Sequence, residues 1–250
     1  MNPTGKTALI TGGAVRVGKA ITLALAQAGA NVVINYNSSS AAAEQTVAEA
    51  RALGVGALAV QADIAINEQV QAMVAAAVKE FGGVDILVNS ASLWQATPFP
   101  MADVSGWQQV TRVLIDGSFY CANAVAPLML AKGEGAIVNI IDLAAFEPWP
   151  KFMAHSVGKS ALLALSRQLA LELAPAVRVN AVAPGPVLPP PNYSEALVAR
   201  TADKTLLGRW GTPEDVAEAV LYFVRANYVT GEVLAIDGGE RLGHRKREHG

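Results

Sequence analysis

What this sequence has little of is the first guide to it. One of its 250 residues is a cysteine, which excludes an internal disulfide and suits a reducing compartment. Cys121 sits in an apolar helical pattern, the setting of a buried structural thiol rather than a nucleophile. Charge is sparse at 16%, and a net charge of −2 supplies no general attraction to nucleic acid or to an anionic membrane. No uninterrupted apolar segment approaches the roughly 18 residues expected of a membrane span. The opening MNPTGKTALITGG has no apolar run long enough for a secretory leader before its glycine turn, so a cytoplasmic location is expected. Metal-ligand spacing is missing as well, and two of the three histidines, His244 and His249, fall in a basic tail at 243–250 that reads as a solvated end.

What is present is apolar bulk: 52% hydrophobic residues, enough for one large folded domain. Short apolar runs at 6–11, 31–36, 56–60, 84–88, 136–141, 177–182 and 232–239 read as strands. Helical spacing fills the intervals, notably at 67–81, 107–132, 193–203 and 213–225, and Asn37 to Ser40 supply N-cap candidates for the helix after the second strand. Strands alternating with helices predict an α/β chain: a Rossmann-type, doubly wound parallel sheet of about seven strands with helices on both faces. No linker composition or internal repeat divides it, so residues 1–250 are expected to form a single domain.

The first strand runs into a glycine-rich turn, TGGAVRVG, at 11–18. Glycines at Gly12 and Gly18 remove side chains where backbone would approach a pyrophosphate, and the helix N-terminus offers free N–H groups around Ala14 and Val17. An acid near the end of the second strand usually holds the ribose hydroxyls of NAD; here the stretch reads Tyr36, Asn37, Ser38, Ser39, with no carboxylate. A 2′-phosphate would meet no repulsion there, Ser hydroxyls would donate to it, and Arg16 would add a charge-assisted contact. NADPH/NADP+ is therefore expected in preference to NAD(H). The alternative is that the serines only cap a helix and Arg16 faces solvent.

A second polar group collects between residues 142 and 159. Asp142 ends a buried strand, and His155 and Lys159 stand four residues apart, one helical turn, on a common face. A carboxylate, an imidazole and an ammonium would converge where a strand hands over to a helix. Trp94 and Trp149 flank the same region, placed to stack on a flat heterocycle or simply to pack, and Tyr193 follows a proline-rich loop as a lid residue or a packing one.

With these pieces in order, the sequence resembles the short-chain dehydrogenase/reductase family along nearly its whole length. The likeness is carried by TGGAVRVG, by QAD ending at Asp63, by NSAS at 89–92, by PGPV at 184–187 and by the terminal VLAIDGG. Within that family it looks most like the pteridine reductases, which share TGxxxRxG and carry Asp where Asp142 stands. The resemblance implies a nicotinamide cofactor and a homo-oligomer, a tetramer or else a dimer. It implies that Asp63, with Ile64 beside it, contacts the adenine and that Asn89, Ser90, Ala91 and Ser92 border the ribose. Pro184, Gly185 and Val187 would lie along the nicotinamide, Lys159 would hold the ribose hydroxyls, and Ser92, Leu93 and Trp94 would border the substrate.

Two positions depart from the family pattern. His155 stands where YxxxK has its tyrosine, and Leu114 stands where NxxG has its asparagine. An imidazole also moves protons and has a reference pKa near 6.5, close to working pH. The expectation is an NADPH-dependent reductase of a C=N or C=O bond in a small, pterin-like substrate. Asp142, His155 and Lys159 are the catalytic group, with His155 the proton donor oriented by Asp142 or by a water; Asp142, His155, Ser92, Trp94 and Tyr193 are the substrate contacts. The alternative is a sensor or scaffold that keeps the cofactor site and has lost the chemistry.

Overall fold

The structure, a computed structural model, describes residues 1–190 and 193–242; the basic tail at 243–250, with His244 and His249, lies outside the described residues. Seven strands, β1 (Thr7–Thr11), β2 (Asn31–Tyr36), β3 (Ala57–Gln61), β4 (Ile86–Asn89), β5 (Gly135–Ile140), β6 (Val177–Pro184) and β7 (Val233–Ile236), form one sheet. Its order is β3-β2-β1-β4-β5-β6-β7 and every pairing is parallel.

The strands are apolar at consecutive positions because both faces are covered. Ala8 and Ile10 of β1 join one core with Ile86 and Val88 of β4, while Leu9 and Leu87 join the other. Helices α1 (Arg16–Gln27), α2 (Ser40–Ala52) and α8 (Pro213–Arg225) complete the first core. On the opposite face lie α3 (Asn67–Phe81), α5 (Ser118–Lys132) and the far end of α6 (Met153–Glu172). A short helix, α7 (Glu195–Ala202), begins after Ser194, whose hydroxyl accepts the Leu197 N–H at 3.3 Å.

The strand order reverses between β1 and β4, and there Thr11 stands in register with Asn89. Ligands of doubly wound sheets bind beyond the strand ends at such a reversal. Thr11 Oγ1 accepts the N–H groups of Ser90 (3.0 Å) and Ala91 (3.1 Å), tying the glycine turn to the segment after β4.

The helix expected over 107–132 is interrupted. α4 (Ser105–Thr111) passes through a π-helical turn, Arg112–Gly117, before α5 resumes. Hydrophobic spacing carries no sign of this, and the turn packs closely on its neighbours. A Cβ on Gly117 would stand 2.7 Å from Ile64, and Leu114 fills the space a Cβ on Gly158 of α6 would need, at 2.7 Å. Although Ser105–Lys132 is long and apolar enough to cross a membrane, Cys121, Val125 and Met129 are buried on the sheet, as a core helix requires. β6 also runs two residues further than expected, to Pro184, because its end pairs with Ile236 of β7.

Candidate active site

The glycine turn is built so that backbone meets backbone. Gly12 has φ +62°, and a Cβ there would stand 3.0 Å from Ala91 Cα; a Cβ on Gly18 would stand 2.1 Å from the Gly12 carbonyl oxygen. Thr22 Oγ1 donates to Gly13 O or Gly18 O (3.0 and 2.9 Å), and Asn35 holds Gly12 N–H with its side chain and Gly13 N–H with its carbonyl. The sequence therefore fixes a rigid turn that presents N–H groups at the start of α1.

Beside it opens a cleft of about 730 Å³. Of the expected cofactor residues, Gly12, Ala14, Arg16, Val17, Gly18, Tyr36, Asn37, Ser38, Ser39, Asp63, Ile64, Ser90 and Ala91 line it, as does Ser92. Ser39 precedes α2, yet its hydroxyl accepts no hydrogen bond from that helix, so the capping role expected of this stretch is not taken up. Arg16 adopts φ +53°, a left-handed conformation costing a non-glycine residue on the order of 1–2 kcal/mol, and its Nη2 donates to Leu188 O at 3.4 Å.

Other expected positions fall elsewhere. Asn89 is buried and braces the floor, its Nδ2 donating to Asn139 Oδ1 at 2.8 Å, while its Oδ1 is buried with no partner. Pro184 and Gly185 are engaged by β7, and Val187 is part of the core. Tyr193 packs edge-on against Trp210 at 6.4 Å rather than against the polar trio. The lining also includes Arg112 and Gln109, which sequence reasoning missed. Arg112 reaches the cleft wall from the π turn, which no local pattern signals.

The trio does converge. Asp142 leaves β5 in extended backbone and caps a 3-10 turn, Leu143–Ala145, its Oδ1 accepting Ala144 N–H at 3.0 Å. Its Oδ2 lies 2.6 Å from His155 Nε2, and the other ring nitrogen faces Leu93 O at 3.4 Å. Lys159, one turn further along α6, is buried and donates to Ile140 O at 2.8 Å. The loop after β4 is stitched to the start of α6 by Thr97, which accepts Ala154 N–H at 2.9 Å and donates its own N–H to Lys151 O at 2.7 Å. That anchoring sets Trp94 edge-on to His155 at 4.9 Å and stacked on Phe152 at 4.3 Å. Trp149, whose backbone N–H donates to Ser156 Oγ, lies parallel to the imidazole at 5.9 Å and 10° and edge-on to Trp94 at 5.5 Å, so the three rings form one cluster.

Burial works against charge on Asp142, but the His155 hydrogen bond, the Lys159 ammonium and the Ala144 N–H outweigh it and hold the carboxyl below its ordinary value. Burial likewise lowers Lys159, against the opposing pull of Asp142. A lowered carboxyl pKa stabilises the fold above the unfolded-state value, about 3.9, and that stability is lost as pH falls through the folded value. Thermal melts should therefore show wild type losing stability more steeply than Asp142→Asn below about pH 4; parallel curves would count against the ion pair.

The same architecture and the same order of parts recur in known proteins. A family model described as enoyl-(acyl carrier protein) reductase matches residues 13–240. The chain belongs to the short-chain dehydrogenase/reductase family. It is 39% identical over 246 residues to 3beta-hydroxysteroid dehydrogenase 1 of Eggerthella lenta, covering 95% of this chain and 94% of that one. It is 36% identical to a 3-oxoacyl-[acyl-carrier-protein] reductase of Synechocystis, over 94% of this chain and 97% of that one. Among solved structures it is similar to a blue fluorescent protein from a metagenomic library in complex with NADPH, at 31% identity, TM-score 0.87 and 96% and 99% coverage. Short-chain dehydrogenase/reductase members are NAD(P)-dependent oxidoreductases acting on C=O groups, and this chain shares their fold.

The residues present fit a dinucleotide. A cradle that any Cβ would obstruct at Gly18 and N–H groups at a helix start beside an open cleft are what such a group satisfies.

Proposed function

We propose that this protein is an NADPH-dependent reductase acting on a C=N or C=O bond of a small, planar, pterin-like molecule. When bound, a reduced nicotinamide supplies a hydride to the carbon of such a bond. The observation that carries the reading is the direct Asp142–His155 contact one helical turn from Lys159, at the end of β5 on the cleft side of the sheet. The chain's own residues would supply the rest. Arg16 and the hydroxyls of Ser38 and Ser39 select the phosphorylated dinucleotide, and the trio provides a proton to the heteroatom. Trp94, 55% exposed and backed by Phe152, offers a flat face to a planar substrate. A homo-oligomer, tetramer or dimer, in the cytoplasm completes the proposal.

The test is NADPH oxidation against a panel of pterins, quinones, diketones and aldehydes, run beside an NADPH titration. Oxidation with at least one class supports the reading. Ser39→Asp should weaken NADPH binding roughly tenfold or more while leaving NADH binding intact, since a carboxylate repels a 2′-phosphate. Equal effects on both nucleotides would remove the serines from cofactor choice.

A second reading, a nucleotide-binding protein without turnover, is favoured by one observation. Leu114, at the position of the family asparagine, is fully buried against Gly158, so no polar group supports Lys159 from that side. NADPH binding with no oxidation across the panel, and gain of activity in His155→Tyr, would select it.

A further inference from the structure

The trio holds two proton-carrying groups beside Lys159, and the one with access to open space is not the imidazole. The His155 side chain is 2% exposed and that of Asp142 17%. Trp149 covers one side of the ring and the edge of Trp94 meets it from another. Both ring nitrogens face oxygen acceptors, Asp142 Oδ2 at 2.6 Å and Leu93 O at 3.4 Å. A neutral imidazole carries one N–H and would leave one of these acceptors unmatched; an imidazolium donates to both. Lys159 on the same helix acts on the carboxylate of the pair, while the loops after β4 and before α6 bring the Leu93 carbonyl and the rings of Trp94 and Trp149 to the imidazole.

From this geometry we infer that Asp142 hands the proton to the substrate and that His155 is the proton reserve behind it. The inference rests on the reductase reading above and reverses the order expected from sequence, in which His155 touched the substrate. In the first step the His155 Nε2–H bond breaks and an Asp142 Oδ2–H bond forms, turning the ion pair into a neutral pair. In the second, that O–H bond breaks as the proton joins the oxygen or nitrogen of the substrate bond, which has gained an electron pair as its carbon takes up hydride; Asp142 returns to carboxylate. When product leaves, Asp142 takes one proton from water and passes it back along the same contact, restoring the imidazolium. One proton from water thus reaches the substrate for each hydride delivered.

The two orders differ in their pH profiles. With the best substrate of the panel, turnover is measured from about pH 4.5 to about pH 9 for wild type, Asp142→Asn and His155→Gln, with NADPH binding followed by fluorescence. The relay predicts Asp142→Asn to be lower by roughly 100-fold or more at every pH, because an amide carries no transferable proton. His155→Gln should be equally impaired near neutral pH but recover toward the acid end, where water protonates the partly exposed Asp142 directly. A His155→Gln profile flat across the range, or Asp142→Asn retaining more than about a tenth of wild-type turnover, overturns the inference. Should Asp142→Asn lose NADPH binding through misfolding, the His155→Gln profile decides. Wild type that binds NADPH and reduces nothing sinks the reductase reading itself, a result distinct from any of these.

Discussion

Gly18→Ala should abolish measurable NADPH binding and lower the melting temperature. The added Cβ would lie 2.1 Å from the Gly12 carbonyl oxygen, 2.9 Å from its carbon and 3.2 Å from Gly13 Cα. All three are backbone atoms, so no side chain can swing aside. Relief comes only by moving the turn away from α1. The turn is held on three sides: Gly12 is close to Ala91, Gly13 N–H is held by Asn35 O, and Thr22 Oγ1 is within bonding distance of Gly13 O. Displacement would break those contacts at a cost of about 2–4 kcal/mol, the range of strongly disruptive single substitutions. Gly54 makes the control: its φ is +84° but nothing stands within 4 Å of a Cβ there, so alanine would strain the backbone without touching the cleft. Calorimetric titration with NADPH beside thermal melts measures both effects. Retained affinity in a normally folded Gly18→Ala protein would show that the turn does not seat the dinucleotide.

His155→Ala, assayed near neutral pH, should lose turnover by roughly two to four orders of magnitude, the usual contribution of a positioned proton donor, with NADPH affinity unchanged within a few-fold. The separation is expected because His155 contacts Asp142, Leu93 O, Trp94 and Trp149 but does not line the dinucleotide cleft. Truncation leaves a cavity beside the two indoles, so some loss of stability accompanies it. His155→Gln, closer in volume, separates that loss from the chemistry. Turnover unchanged in His155→Ala would remove the imidazole from the mechanism altogether.

How much of this was legible in the chain differs by residue. The sheet was readable because each strand is apolar at consecutive positions, and only strands covered on both faces need that. His155 and Lys159 were readable as neighbours because four residues make one helical turn. The Asp142 contact was an inference from its place where a strand hands over to a helix and from the family resemblance, and the fold supplies it at 2.6 Å. The break at Arg112–Gly117 was hidden, since a π turn keeps the composition of the helix around it. The partner of Tyr193 was hidden for a related reason: loop residues carry no periodicity, and Trp210 lies well beyond it in the chain.

The order of residues was thus enough to specify the strand–helix alternation, the glycine turn, the missing acid after β2 and the polar triad, because each depends on local spacing or on the absence of a side chain. Which group of the triad meets open space depended on packing from elsewhere: the loop after β4, fastened to α6 through Thr97, lays Trp94 against His155, and Trp149 packs on both of them. Burial is a property of all the neighbours at once, and no stretch of chain around His155 contains them all.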